Sequence, residues 1–155
     1  MTNNDVLRRL RYALNITDNK VLEIFKLAGY EMARPELESI FKKEEEEGYA
    51  ECADLVLDRF LEGLVINRRG KSEHAKPADA SPGRRITNNE ILKRLRIALQ
   101  LRDEDIMAIL ALAGVQLSKS ELSALFRREG QANYRPCGDQ VLRNFLVGLT
   151  TKYRV

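Results

Sequence analysis

Residues 2–14 read TNNDVLRRLRYAL, and residues 87–99 read TNNEILKRLRIAL. The likeness continues to the end of the chain. Offset by 85 positions, Thr2–Gly70 aligns with Thr87–Val155 without a gap, and about two residues in five are identical. Self-similarity of this kind fixes the structural unit before anything else is known about it. A chain of 155 residues is thereby restricted to one small unit used twice, with residues 1–69 as the first copy, 70–86 as a connection and 87–155 as the second. The connection, GKSEHAKPADASPGRR over residues 70–85, has no large apolar residue. It reads as a flexible tether with a reach of roughly 50 Å when extended.

Each copy divides into four short helices. Thr2 with Asp5, and Thr87 with Glu90, have the capping-box spacing in which hydroxyl and carboxylate satisfy orphan amides at a helix start. Val6, Leu7, Leu10, Ala13 and Leu14 then share one face. The second helix starts near Asp18 or Asp103 and stops at Gly29 or Gly114, residues suited to a left-handed cap. The third is opened by Pro35 in one copy and by Ser118 with Glu121 in the other. The fourth runs from about Ala53 to Ile66 and carries Val56, Leu57, Phe60, Leu61 and Leu64, echoed 85 positions later. Gly63 and Gly148 interrupt this helix at matching places, where glycine costs about 1 kcal/mol against alanine. Close approach of another helix is the expected compensation. No segment alternates like a strand, so the fold class is all-α: two tandem four-helix repeats, packed with pseudo-two-fold symmetry. A unit of about 65 residues buries a marginal core, which favours packing between the copies or dimerisation.

The letters shared by the copies are TNN[DE] at each start, LAG at 27–29 and 112–114, YxxCxD at 49–54 and 134–139, and FLxGL at 60–64 and 145–149. In this order they resemble the YehS-like family of bacterial proteins of unknown function, which carry this small domain twice. The resemblance spans both copies and leaves only the connection outside. It implies a bacterial cytosolic protein and transfers no catalytic residue.

Several chemistries are disfavoured. The two cysteines, Cys52 and Cys137, lie far outside any metal-ligand spacing, and the single histidine, His74, sits in the polar connection. No metal, no cofactor and no histidine-based triad is therefore expected. No apolar run reaches the roughly 18–20 residues of a membrane span, and the arginine-studded N-terminus lacks a secretion signal, so a cytoplasmic location is expected.

Three functional readings remain. The first is a non-enzymatic interaction or regulatory module that binds a protein partner or itself. Charge favours it: the first copy through Ile66 has a net charge of −5, residues 67–86 have +4, and the second copy has +4, a distribution suited to docking between unlike halves. The second is a nucleic-acid-binding regulator that uses the basic faces of the first helix in each copy and the basic connection. At 100° per residue, Arg8 falls almost opposite the apolar face with Arg11 beside it, and Lys93 and Arg96 repeat the geometry, making a candidate polyanion or partner surface. Arg9 and Arg94 fall nearer the edge, placed to lie over the core or to pair with acids of a neighbouring helix. The plain alternative is that all these cations are solvated, and Glu44–Glu47, read as a solvated helix end, would repel phosphate. A helix-turn-helix reading of residues 110–126 requires a turn longer than the usual three to four residues. The third reading is a thiol enzyme: Cys52 with Asp54, and Cys137 with Asp139, place a thiol two residues from a carboxylate at a helix start. No base stands nearby in sequence, and packing of small buried cysteines explains the same letters.

Overall fold

The computed structural model describes residues 1–70 and 85–154, so His74 and most of the connection lie outside the described residues. Among the described residues there are eight helices and no strand. The first copy holds α1 (Asn3–Leu14), α2 (Asp18–Leu27), α3 (Arg34–Ile40) and α4 (Asp54–Arg69). The second holds α5 (Asn88–Leu99), α6 (Asp103–Leu112), α7 (Lys119–Leu125) and α8 (Asp139–Tyr153). The fourth helix continues to Arg69, a turn beyond the sequence expectation, because Arg68 and Arg69 are favourable helix formers whose charge suits the C-terminal end. Glu44–Glu47 do not end a helix. The third helix already stops at Ile40, and the four glutamates form exposed turns.

Four of the eight helix starts carry a side-chain cap, at Thr2, Thr17, Thr87 and Ser118. The Thr2 hydroxyl accepts from the Asp5 amide at 3.1 Å, and the Asp5 carboxylate accepts in turn from Thr2 N at 3.2 Å. Thr87 accepts from the Glu90 amide at 3.2 Å. Gly29 and Gly114 stand at φ +80 and +81 beyond the ends of α2 and α6, the left-handed conformation that favours glycine.

The copies are interlocked rather than set side by side. Within a copy α2 packs on α4, and α6 on α8. The first helix of each copy, however, packs chiefly along the fourth helix of the other, α1 on α8 and α5 on α4. Leu7, Leu10, Leu92 and Leu95 are fully or almost fully buried, in one core with Phe25, Phe60 and Phe145. Neither copy closes its core alone.

Two backbone approaches make the helix pairs possible. A Cβ on Gly63 would lie 1.9 Å from the Ile24 carbonyl oxygen, and one on Gly148 would lie 2.0 Å from that of Ile109. The obstructing atom is backbone in both cases, so it cannot swing aside. Gly63→Ala or Gly148→Ala is expected to destabilise the protein by about 3 kcal/mol, measured as a lowered urea midpoint. An unchanged midpoint would show that α2 and α6 do not ride this close.

Candidate functional site

The retained TNN and YxxCxD letters turn out to be two halves of one joint. Asn4 is buried at the start of α1, and its Nδ2 donates to the carbonyls of Ile40 and Ala50, both at 2.9 Å, while its Oδ1 accepts from Cys52 N at 2.9 Å. Asn89 repeats all three bonds, with Leu125, Arg135 and Cys137. Asn3 donates to the Cys52 carbonyl at 3.0 Å and to Asp54 Oδ1 at 2.7 Å, and Asn88 does the same with Cys137 and Asp139. The two asparagines thus fasten the loop between the third and fourth helices to the start of the first.

Asp54 and Asp139 continue the joint across the copies. The other oxygen of Asp54 accepts from the backbone nitrogen of Ile86 at 3.0 Å, and that of Asp139 accepts from the amino group of Met1 at 2.9 Å. Asn88 and Met1 hold the Asp139 carboxyl below the usual carboxylate range. These aspartates clasp one copy to the other. Neither is presented to a substrate by its thiol neighbour: Cys52 and Cys137 are 3% and 6% exposed. Burial, with help from the adjacent aspartate charges, pushes their thiols up to about 12 and about 11. A thiolate at neutral pH is correspondingly scarce, which removes the activation a thiol nucleophile requires.

The basic residues of the first helices divide into two groups. Arg11 pairs with Asp18 and lies 5.0 Å from the ring centroid of Phe41. Arg96 pairs with Asp103 at 2.7 Å and lies 4.6 Å from the centroid of Phe126. Arg11, Asp18 and Phe41 are identical in the second copy, so this stack is part of the fold and its cations are already engaged. Arg8 is half-buried and ion-paired with Asp5, whereas Lys93 is exposed. Of the pair expected at the edge of the apolar face, Arg94 reaches buried Asp58 on α4 at 2.6 Å, and Arg9 instead is exposed. The sequence ordering of Arg8 and Arg9 is therefore reversed, because packing of α1 on α8 sets which flank meets solvent.

Arg8 and Lys93 line equivalent clefts, each formed between the first helix and the loop before the fourth. The first, about 230 Å³, is bordered by Asp5, Arg8, Lys43, Glu44, Glu45 and Tyr49. The second, about 380 Å³, has Glu90, Lys93, Arg127, Arg128, Glu129 and Tyr134 on its walls, with Arg94 beside them. Carboxylates outnumber cations in the first, and cations outnumber carboxylates in the second. Sequence reasoning found Arg8 and Lys93 but not the loop residues facing them, which lie about 35 positions away. The helix-turn-helix reading meets residues 113–118 between α6 and α7, longer than the usual turn. Among the described residues no group of three His, Cys, Asp or Glu side chains is placed to hold a metal ion, and no helix is long and apolar enough to cross a membrane.

Burial of the thiols generates a direct expectation. At pH 8 iodoacetamide should alkylate native Cys52 and Cys137 slower than a free cysteine by about 100-fold or more, with normal rates restored in denaturant. Rapid labelling of the folded chain would reinstate a reactive thiol.

A family model described as "Protein of unknown function (DUF1456)" matches residues 3–70 and again residues 88–154. The chain is similar to the "Uncharacterized protein YehS" of Escherichia coli (strain K12), with 42% identity over 155 residues, covering 100% of this chain and 98% of that protein. No solved structure matches.

Proposed function

The chain belongs to the DUF1456 family, and from that premise we propose that it is a non-enzymatic cytoplasmic interaction module that binds a protein partner. The observation that carries this reading is the pair of equivalent clefts with opposite charge balance. A uniform polyanion is poorly matched to them, since Asp5, Glu44 and Glu45 stand among the cations of the first. A folded protein surface, with both signs of charge and apolar spots, matches both clefts at once. Tyr49 and Tyr134, half-buried at the same position of the two copies, supply an amphipathic contact at each. The engagement of Arg11 and Arg96 in the fold weighs against the alternative of nucleic-acid recognition through the first helices. The thiol burial weighs against an enzyme at Cys52 or Cys137.

The reading is tested by affinity capture from a bacterial lysate with the full chain and with a Tyr49→Ala, Arg128→Glu, Tyr134→Ala variant, compared by mass spectrometry. A protein retained by the parent and lost by the folded variant is the expected result. Nucleic acid co-purifying with the parent, and released steeply as salt is raised, would replace this reading with the polyanion one. Identical captures by parent and variant would remove the clefts as the binding surface.

A further inference from the structure

We propose that the groove between α1 and α8, which shares Asp5 and Arg8 with the first partner cleft, binds a small phosphate-bearing anion, with Arg9 as its principal ligand. The inference goes beyond the protein-partner reading and does not depend on it.

The starting point is a symmetry that the two copies keep in backbone and break in charge. Arg9 and Arg94 occupy equivalent positions, and so do Arg143 and Asp58. On the α4–α5 side the arginine is fully matched. Arg94 donates to Asp58 Oδ1 at 2.6 Å and to the Asp58 carbonyl at 2.9 Å, and Arg59 bridges Asp58 to Glu62 at 3.1 and 3.3 Å. On the α1–α8 side every one of these partners is changed. Arg143 replaces Asp58, Asn144 replaces Arg59 and Val147 replaces Glu62. Arg9 is exposed there and makes no hydrogen bond or ion pair with any described residue.

The same place holds a groove of about 410 Å³, bordered by Arg8, Arg9 and Tyr12 from α1 and by Val147, Thr150 and Thr151 from α8. Its volume is in the range of small-molecule sites. Asp5 also borders it, but its carboxylate is already held by Arg8 and by the Thr2 amide. The hydroxyls of Thr150 and Thr151 donate to the carbonyls of Leu146 and Val147, so recognition falls to the guanidinium groups. A second observation concerns Arg8. Arg8 Nε is the one buried side-chain nitrogen or oxygen among the described residues with no hydrogen-bond partner. Nε itself is closed to the groove, so Asp5 leaves the Arg8 guanidinium incompletely matched beside the unpaired Arg9. Arg143 stands one turn before Val147 on the same face of α8, and the Arg154 guanidinium lies 3.9 Å from the centroid of the Tyr12 ring. Two guanidinium groups, of Arg8 and Arg9, thus border a groove whose only bordering carboxylate is already held, while Arg143 nearby donates to Gln140 and Arg154 to Tyr12 and Asn15. A dianionic phosphate, with several acceptor oxygens matched to the fork of arginine, is the chemistry this arrangement recognises.

The test uses the full chain and inorganic phosphate as probe, titrated at constant ionic strength against chloride, with thermal unfolding as the readout. The parent is expected to gain about 3 °C in Tm once phosphate exceeds its dissociation constant about ten-fold. Arg9→Ala should lose this response. Arg143→Asp should lose it too while remaining folded, because it recreates on α8 the partner that Arg94 has in Asp58. No phosphate-dependent shift in the parent would overturn the proposal. So would an equal shift in Arg9→Ala, or an equal shift of the parent with malonate, which offers carboxylates in place of phosphate.

Discussion

Everything in this molecule depends on the exchange of first helices between the copies. A four-helix unit of about 65 residues has too little apolar surface to close a robust core by itself. Here α1 covers α8 and α5 covers α4, so each copy lends the other the helix that seals it. The start of each first helix nevertheless stays tied to its own copy through two asparagines, while Asp54 and Asp139 reach back across the boundary. Each first helix is therefore a strut fixed at one end to its own copy and packed along its length on the other. Local unfolding of one copy must expose the core of its partner, which makes the pair a single cooperative unit.

This geometry separates the residues that duplication retained from those it let diverge. The retained set is structural: the TNN–CxD joint, the stack of Arg11, Asp18 and Phe41 with its twin, and the glycines under Ile24 and Ile109. Charge diverges at two places. Asp58 has become Arg143, and of the four glutamates at Glu44–Glu47 only the first is kept, as Glu129, behind a basic pair, Arg127 and Arg128, that matches Lys42 and Lys43. Shared letters mark the scaffold, and it is the unshared ones that give each face its chemistry.

The sequence made the helices legible because their signals are local. Caps at Thr2, Thr87 and Ser118, left-handed stops at Gly29 and Gly114, and apolar residues three or four apart all act within a few positions. Gly63 and Gly148 even announced a close helix contact, although not which helix would make it. The partners of polar residues were not legible. Asn4 is bonded to groups 36 to 48 positions away, and Asp58 to an arginine 36 positions away in the other copy. No spacing rule encodes such distances. Arg11 and Arg96 looked like a presented basic stripe for the same reason: their neutralising aspartates and aromatic platforms lie on other helices.

The opposite net charges of the halves also acquire a different meaning once the packing is known. Among the described residues only one side-chain ion pair between the copies is substantially buried, that of Arg94 with Asp58, so little of the surplus charge is consumed there in holding the halves together. Part of it lies outside, on the loops before α4 and α8, where the two clefts lie. Interaction between exposed charges is weak and screened within about 8 Å at physiological salt, so these loops add little to stability. What they do provide is a lasting electrostatic polarity across a pseudo-symmetric frame. Such polarity orients an approaching molecule and distinguishes one end of the protein from the other. Duplication followed by charge divergence has thus converted a two-fold scaffold into one with direction.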